Sequence, residues 1–433
     1  ALDFQIETVS DPAFLRDYDI SDADRLESRL SLTRAQPHAL ATADLFRLRS
    51  LRGRDDNATL PNLGADLAYE RRMGGGPLGG VATLRASAHT HYRSSASVLD
   101  TANDPDTLAD GLDMSRLGLG VDWARSWALP AGLRLQGRAG LDADAYAIGD
   151  SARFAPSLAR LAPSAGVQLS WPLLRTEEGG GSNGGAVQSL EPMAALSWSD
   201  TTGQTPPNED SVLVEFDEAN LFAPSRFPGA DAREEGLRAE LGLRWAREAP
   251  GGLSGGLTLG RILRADDMGQ FGAGSGLEGA RSDWLAAAHL RLDERLRLTS
   301  RLLLDDSFDL TRTDMRLGLI LGRASLASSF LWAAADETTP DDSAEWTVSS
   351  GWELSPRWTG LLAWRYDFEA DRASRTGVGL RFANECLRAD LSLSRRFASS
   401  TSVEPVTELS WRVVIEGFGT SPGRTAARRA CTR

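Results

Sequence analysis

The stretch GLRAELGLRW, residues 236–245, alternates from one residue to the next between large apolar side chains and polar, charged or small ones. Leu237, Leu241 and Trp245 belong to one series, and Arg238 and Glu240 belong to the other. Successive side chains of a β-strand point to opposite faces of its sheet. The stretch therefore predicts a strand with one apolar face and one charged face.

The same period of two recurs along the whole chain, in residues 116–123, 133–142 and 314–322. Short turn signals lie between such stretches, at 129–132, 248–252 and 355–357. Longer polar stretches separate others, at 177–185, 265–281 and 336–343. Short turns that alternate with long loops are typical of an up-and-down barrel, and roughly 18 to 20 candidate strands of ~10 residues can be counted.

Two architectures use so many antiparallel strands: a soluble sheet protein with apolar faces turned inward, and an outer-membrane barrel with apolar faces turned to lipid. The strands are longer than the ~5 to 6 residues usual in soluble sheets, and their polar faces carry charges at mid-strand. Aromatic residues fall toward strand ends, as in the interfacial girdles of barrels, at Trp123, Trp245, Trp358, Trp364 and Trp411. We therefore expect an all-β fold, a large antiparallel transmembrane β-barrel of the outer membrane.

Composition excludes several classes of function. The net charge of −13 argues against nucleic-acid binding, and no stretch reaches the ~18 to 20 consecutive apolar residues of a membrane helix. His89 and His91 would share a strand face, but without an acidic or cysteine partner at ligand spacing they indicate a polar pair rather than a metal site. No nucleophile, phosphate-loop or paired-cysteine motif is present. We expect no enzymatic activity, cofactor or metal.

Several short segments resemble one family. They are VSDPAFLRDYD at 9–19, LEP at 190–192, PNEDS at 207–211, NLF at 220–222, RFPGAD at 226–231, CLRADL at 386–391 and EGFG at 416–419. Their order and spacing resemble the LptD family, the lipopolysaccharide-assembly proteins also called Imp/OstA or organic solvent tolerance proteins, in its alphaproteobacterial form. The residues that carry the resemblance are Ser10, Asp11, Asp17, Tyr18, Asn208, Glu209, Asp210, Asn220, Leu221, Phe222, Gly229 and Asp231.

This resemblance implies a barrel of about 26 strands behind an N-terminal periplasmic jelly roll. It implies a translocon that inserts lipopolysaccharide (LPS) into the outer leaflet, receives it from the periplasmic Lpt bridge through the jelly roll, and holds an LptE-type lipoprotein plug. Because the segment at 9–19 lies some strands into the family's barrel, we expect the chain to be a piece that lacks the jelly roll and roughly six strands. Residues 1–420 would be barrel, and the basic tail 421–433 is expected to be disordered.

The stretch PPNEDSVLVEFDEANLF, residues 206–222, is expected to be a loop of this barrel. Its carboxylates would be solvated or cap local backbone, with a cation site as the alternative. Arginines on the predicted polar faces could contact the phosphates and acidic sugars of LPS, namely Arg116, Arg134, Arg138, Arg238, Arg244 and Arg316. The alternative is cross-strand pairing with Asp122, Asp142, Glu240 and Asp314.

Cys386 corresponds to one position of the family's vicinal cysteine pair, and the resemblance implies a disulfide to the N-terminal part. Its predicted strand face, shared with Arg388, points to the lumen, and a bond to Cys431 in the tail is not expected. Three other functions stay open: a general porin, an outer-membrane hydrolase, and a soluble β-rich adhesin. The adhesin would require apolar faces packed against each other.

Overall fold

The computed structural model describes residues 1–415, except positions 13, 18–19, 22, 54, 75, 77, 102–106, 178–184, 250, 336–341 and 398–405. These residues form one sheet of 22 strands. A four-residue helix, α1 (Phe14–Asp17), precedes the second strand, and a single 3₁₀ turn lies at Pro130–Gly132. Among the described residues, no helix is both long and apolar enough to cross a membrane.

The first eleven strands are β1 (Leu2–Gln5), β2 (Arg25–Gln36), β3 (Ala39–Ser50), β4 (Leu63–Gly74), β5 (Val81–Tyr92), β6 (Asp113–Ala128), β7 (Arg134–Gly149), β8 (Ser157–Ser170), β9 (Leu173–Glu177), β10 (Ala186–Ser199) and β11 (Thr202–Gly203). The others are β12 (Gly236–Glu248), β13 (Leu253–Arg264), β14 (Trp284–Leu292), β15 (Leu296–Leu304), β16 (Leu310–Leu321), β17 (Ala324–Ala333), β18 (Ser343–Ser355), β19 (Trp358–Asp367), β20 (Arg372–Ala383), β21 (Leu387–Arg396) and β22 (Val406–Ile415).

Successive long strands pair antiparallel, as in β6 with β7 and β12 with β13, and β10 pairs with β12 across the short β11. β8 bends and continues as β9, and both pair with β10. Three segments, β1, β9 and β11, have five residues or fewer, which leaves 22 − 3 = 19 strands of 9 to 16 residues. The predicted strand count is therefore confirmed. Within the described part of the chain, β1 pairs only with β2, and β22 pairs only with β21.

The two faces of the sheet carry the predicted contrast, with the apolar side exposed. On β12, Leu237 and Leu241 are 45% and 46% exposed, whereas Arg238 and Glu240 are buried. The same order holds on β6, where Leu117 and Leu119 are exposed. A soluble protein buries its apolar faces, but this sheet exposes them, as a barrel in lipid does. The soluble adhesin is therefore wrong, and the barrel is confirmed.

Aromatic rings on the outer face gather near both ends of the strands. We call the end joined by the turns 129–133, 293–295 and 322–323 the short-turn rim, and the opposite end, which carries loops 204–235 and 265–283, the long-loop rim. Trp346 and Trp364 contact each other near the long-loop rim, with ring centroids 5.2 Å apart. Trp358 and Phe382 do so near the short-turn rim, at 5.0 Å. Trp411 is different, because it is the sixth of ten residues in β22.

The main apolar core lies inside the sheet rather than between two sheets. Phe216 and Leu221 from loop 204–235 pack with Ile262 of β13, Leu285 of β14 and Leu303 of β15. Phe271 and Leu277 of loop 265–283 complete this cluster. The long loops therefore fold inward over the inner face, which positions their polar residues against the charged side of the strands.

Candidate functional site

Residues 204–235, which we call the lumen loop, lie between β11 and β12 and pack against the inner face. The loop contacts residues on strands from β5 to β16, so the sheet curves around it. The family-motif residues of the segments at 207–211, 220–222 and 226–231 all lie in this loop. The loop was predicted, but its position inside the lumen was not.

Two carboxylates close the base of the lumen loop. Asp210 accepts the backbone N–H groups of Asp231, at 2.9 Å, and of Ala230, at 3.0 Å. Asp231 in turn accepts the N–H groups of Glu209, at 3.1 Å, and Asp210, at 3.2 Å. Nη1 of Arg116 on β6 donates to both carboxylates, at 2.7 and 2.5 Å. The expected capping of local backbone is therefore accompanied by an ion pair with the wall.

The two carboxyl groups of this base differ in proton affinity. Burial acts to raise the pKa of Asp210, but hydrogen bonds from Ala230, Arg116 and Asp231 outweigh burial and lower the pKa to about 2. Burial, together with the negative charge of Asp210, raises the pKa of Asp231 despite the opposing Arg116. The base is thus built around an ionised Asp210.

A second anchor joins Glu209 to the wall. Arg93, which follows β5 and is buried, donates through Nη2 to both oxygens of Glu209 at 2.9 Å. The Nε of Arg93 donates to the carbonyl of Thr59 at 2.7 Å, and its Nη1 lies 3.0 Å from Nε2 of His91. His91 and His89 share the inner face of β5 and lie 3.1 Å apart. Among the described residues, no cluster could hold a metal ion.

The middle of the lumen loop is fixed by an asparagine and two apolar residues. Asn220 accepts the N–H of Asp217 at 3.0 Å and donates to the carbonyl of Glu215 at 2.6 Å. Leu221 is fully buried. Phe222 lies over Gly242, where a Cβ atom would come within 2.8 Å of its ring, and its carbonyl accepts from Arg138 at 2.7 Å. Gly242 therefore makes room for the loop.

The last part of the lumen loop carries buried ion pairs whose loop members, Arg226 and Glu234, sequence reasoning missed. Arg226 pairs with Glu234 at 2.8 Å and with Glu240 of β12 at 3.3 Å. Arg238 pairs with Glu240 at 3.2 Å, and Arg264 of β13 pairs with Glu234 at 3.0 Å. The alternation already placed Arg238 and Glu240 on the inner face, but loops have no periodic signal that would reveal Arg226 and Glu234.

The six arginines proposed for LPS contact divide into three groups. Arg116, Arg138 and Arg238 bind the lumen loop. Arg316 pairs with Asp314 of its own strand at 3.0 Å. The remaining two, Arg134 and Arg244, line a cavity of about 330 Å³ under Phe222. Within the described part of the chain, neither of these two guanidinium groups forms an ion pair or hydrogen bond.

The remaining predicted positions lie away from the lumen loop. Ser10 and Asp11 form a bend before α1, Asp17 ends that helix, and Tyr18 lies outside the described residues. Cys386 lies in the turn before β21, where its N–H donates to Asn384 Oδ1 at 2.9 Å. It therefore precedes the strand face on which it was predicted. Cys431 and the tail 421–433 lie outside the described residues.

Solved structures with a similar course of the chain are outer-membrane receptors. The siderophore receptor PirA from Acinetobacter baumannii is 7% identical with a TM-score of 0.36, over 90% of this chain and 70% of that one. PirA from Pseudomonas aeruginosa is 9% identical with a TM-score of 0.38, over 91% and 78%. The alcaligin receptor FauA from Bordetella pertussis is 10% identical with a TM-score of 0.39, over 86% and 65%.

A search of curated protein sequences gives no match. The family model of LptD, described as LPS transport system D, matches residues 1–358. This match covers most of the 433 residues and includes the whole lumen loop. The chain therefore belongs to the LptD family, and is an outer-membrane β-barrel protein of lipopolysaccharide transport.

Proposed function

We propose that this chain forms wall and lumen of the translocon that inserts LPS into the outer leaflet, together with an LptE-type lipoprotein plug. The observation that carries the proposal is the polar inner face, which is filled by the lumen loop on one side and open on the other. The open side, from β16 to β22, borders a cavity of about 830 Å³. A barrel wall with a partly filled, polar interior suits a large hydrophilic saccharide better than small solutes alone.

Arg134 and Arg244 are the two proposed contacts for the acidic groups of LPS. They face the lumen below the lumen loop, toward the short-turn rim, and Gln136, Gln168, Glu191 and Glu218 line the same cavity. A guanidinium group binds phosphate or carboxylate as a bidentate fork. Glu191 lies opposite Arg244 in the register of β10 and β12. Neither guanidinium group forms an ion pair in the described part of the chain, so both can bind an anionic ligand without first breaking one.

The proposed work is transport, with no bond made or broken. LPS would arrive from the periplasmic Lpt bridge through the jelly roll of the full-length protein. A hydrolase would need a nucleophile activated by a nearby base. In the described part of the chain, the paired histidines His89 and His91 bind Asp66, Arg93 and each other, and no serine hydroxyl is hydrogen-bonded to either ring.

The test uses the full-length protein in a Gram-negative outer membrane from which the resident translocon is depleted. We expect surface LPS to be restored and a lipoprotein to co-purify. A mobility difference between non-reducing and reducing gels should disappear in Cys386→Ser, and Cys431→Ser shows whether the same bond involves the tail. A protein that carries no lipoprotein, restores no LPS and conducts ions as a simple pore would instead support a general porin.

A further inference from the structure

The lumen loop is tied to two distant parts of the wall. On one side, Glu209 binds Arg93 after β5, and Asp231 binds Arg116 of β6. On the other side, Glu218 binds both Nε and Nη2 of Arg301 on β15, at 2.8 and 3.0 Å. A loop that is attached at both sides crosses the space between them and cannot swing about a single hinge.

Moving the lumen loop outward would separate buried charges. Arg226 and Glu234 of the loop are both fully buried, and their partners Glu240 and Arg264 belong to β12 and β13. When a buried pair is broken, each charge is left without compensation, which costs far more than the loss of an exposed pair. The closed position is therefore strongly favoured over any position in which these residues part.

Four consecutive backbone carbonyls of the lumen loop are held by arginine side chains. Arg226 donates to the carbonyls of Leu221, at 3.2 Å, and Ala223, at 3.0 Å. The carbonyl of Phe222, between these two, accepts from Arg138 of β7. The carbonyl of Pro224, which follows Ala223, accepts from Arg238 of β12. Buried carbonyls keep their partners because an unpaired one is costly. This turn is thus fixed to the wall through its backbone as well as its side chains.

Leu221 and Phe222 also interlock with glycines of the wall. A Cβ atom at Gly260 of β13 would overlap the side chain of Leu221, and one at Gly242 would lie 2.8 Å from the ring of Phe222. The two side chains therefore occupy space that larger residues would fill. Withdrawal of the loop would leave an empty apolar cavity there, which is unfavourable.

On the opposite side of the lumen, no loop among the described residues packs against the inner face of the strands. The strands from β16 to β22 border the cavity of about 830 Å³, and the inner residues Gly351, Gly377 and Gly379 leave their side of it wide. On the side of the lumen loop the cavities are smaller, about 500 Å³ between the loop and strands β3 to β8 and about 330 Å³ under Phe222.

We infer that the lumen loop is a fixed partition, closed throughout transport, so that substrate, ions and the proposed plug share the space beside it, the larger part of which lies on the side of β16 to β22. The inference rests on the proposed function for its substrate, and adds the route through the lumen. A gate would have to exchange its buried contacts in every cycle, whereas a partition keeps them. The substrate that would contact the residues of the open side is an anionic saccharide.

A disulfide between Leu221→Cys and Gly260→Cys tests whether the partition moves. A Cβ atom at Gly260 would lie 3.1 Å from Cγ of Leu221, one bond away from the Leu221 Cβ, so a disulfide can join the two positions. The matched control is Leu221→Cys with Gly260→Ser, which fills the site similarly and cannot form the crosslink. In the full-length protein with its plug, we expect the crosslinked variant to deliver LPS within about twofold of this control, because locking the loop in the position that it always occupies changes nothing. Peptide mass spectrometry measures the extent of crosslinking.

Loss of LPS delivery in the crosslinked protein, with normal delivery by the Leu221→Cys, Gly260→Ser control, would overturn the partition. Ion conductance in planar bilayers gives a second readout that needs no LPS, and the locked protein and the control should conduct equally. Failure of the wild-type protein to deliver LPS would refute the proposed function, whereas a change in conductance on locking would refute the partition.

The open side is tested by a pair of neighbouring tryptophan substitutions on β20. Gly377→Trp places a ring in the open cavity, and Val378→Trp places one on the outer face, where Val378 is exposed. We expect conductance and LPS delivery to fall several-fold in the first variant and to stay unchanged in the second. Heat-dependent gel mobility reports folding of both. Unchanged conductance in a folded Gly377→Trp variant would place the route elsewhere.

Discussion

Asp210 and Asp231 each accept the backbone N–H of the other, although 21 positions separate them in the chain. The two hydrogen bonds measure 2.9 and 3.2 Å. This reciprocal pair closes the lumen loop at its base, and Arg116 joins the closed base to β6. The Arg116 side chain therefore holds the two ends of the loop together and attaches them to the wall.

Replacing Asp210 should cost more stability than replacing Asp231. Asp210 is ionised and stabilised by its donors, whereas the pKa of Asp231 is raised, so a neutral amide suits position 231 better. We expect Asp210→Asn to lower the free energy of unfolding by roughly 1–2 kcal/mol, after allowance for partial exposure, and Asp231→Asn to lower it less. Thermal unfolding followed by heat-dependent gel mobility measures both. Equal losses would contradict this assignment of charge.

Acid should remove the contribution of Asp210. The pKa of this carboxyl falls from an ordinary 3.8 to about 2 on folding, so its stabilisation is complete above the unfolded value and is lost as the pH falls toward the folded one. Asp231 has the opposite sign, because a raised pKa favours folding at low pH. The stability gap between the wild type and Asp210→Asn should shrink as the pH falls from about 4 to about 2, and a constant gap would count against it.

Gly229→Ala should open the base of the loop without replacing a charged residue. A Cβ atom at this position would overlap the Asp210 carboxylate, which is held by Ala230, Asp231 and Arg116 and cannot retreat. We expect a loss of ~1–3 kcal/mol, as for overpacked sites. Gly74→Ala is the control, since nothing lies within 4 Å of a Cβ atom there. Similar unfolding temperatures for the two variants would show that the carboxylate can move.

Leu221→Ala should empty the centre of the apolar cluster. The side chain is fully buried among Ile262, Leu285 and Leu303, and truncation of such a leucine costs ~2–5 kcal/mol. Leu213→Ala, in the same loop but 81% exposed, should change stability by less than about 0.5 kcal/mol. Unfolding temperatures of the two variants give the comparison, and a small effect at Leu221 would mean that the loop tolerates partial withdrawal.

Arg134→Gln with Arg244→Gln should weaken LPS binding while leaving the fold intact. Both side chains line the cavity under Phe222 and neither pairs within the described part of the chain. Loss of two charge-assisted contacts should lower the affinity for purified LPS by about tenfold or more. Arg71→Gln, on the exposed outer series of β4, should have no effect. Unchanged binding by a folded double variant would exclude these arginines as contacts.

The strands and their faces could be predicted because the alternation of apolar and polar residues extends over ten residues or more and does not depend on how the side chains pack. Leu237 and Arg238 needed no tertiary information to be placed on opposite sides. The prediction that Trp411 lies near a strand end was wrong, because a single aromatic residue does not locate the end of its strand. The predicted strand was extended to include Cys386, although β21 begins at Leu387, because alternation alone does not define where pairing begins.

The inside of the lumen could not be predicted in the same way. Glu209 and Asp231 have no periodic neighbours, and their partners Arg93 and Arg116 lie more than a hundred residues away in the chain. Solvation was the simplest expectation for such carboxylates, because loops normally lie at the surface. Sequence contains the residues of this packing, but only the curvature of the sheet brings them together.

The fit of Leu221 and Phe222 over Gly260 and Gly242 also bears on how the molecule is built up. The loop directly precedes the β12–β13 hairpin, so these contacts close over a short length of chain and can form early. Strands β14 to β22 are added to a hairpin that already carries its filling. Assembly would then start from the lumen loop packed on the β12–β13 hairpin, and the remaining strands would pair outward from it. The loop would not have to enter the lumen after the wall is complete.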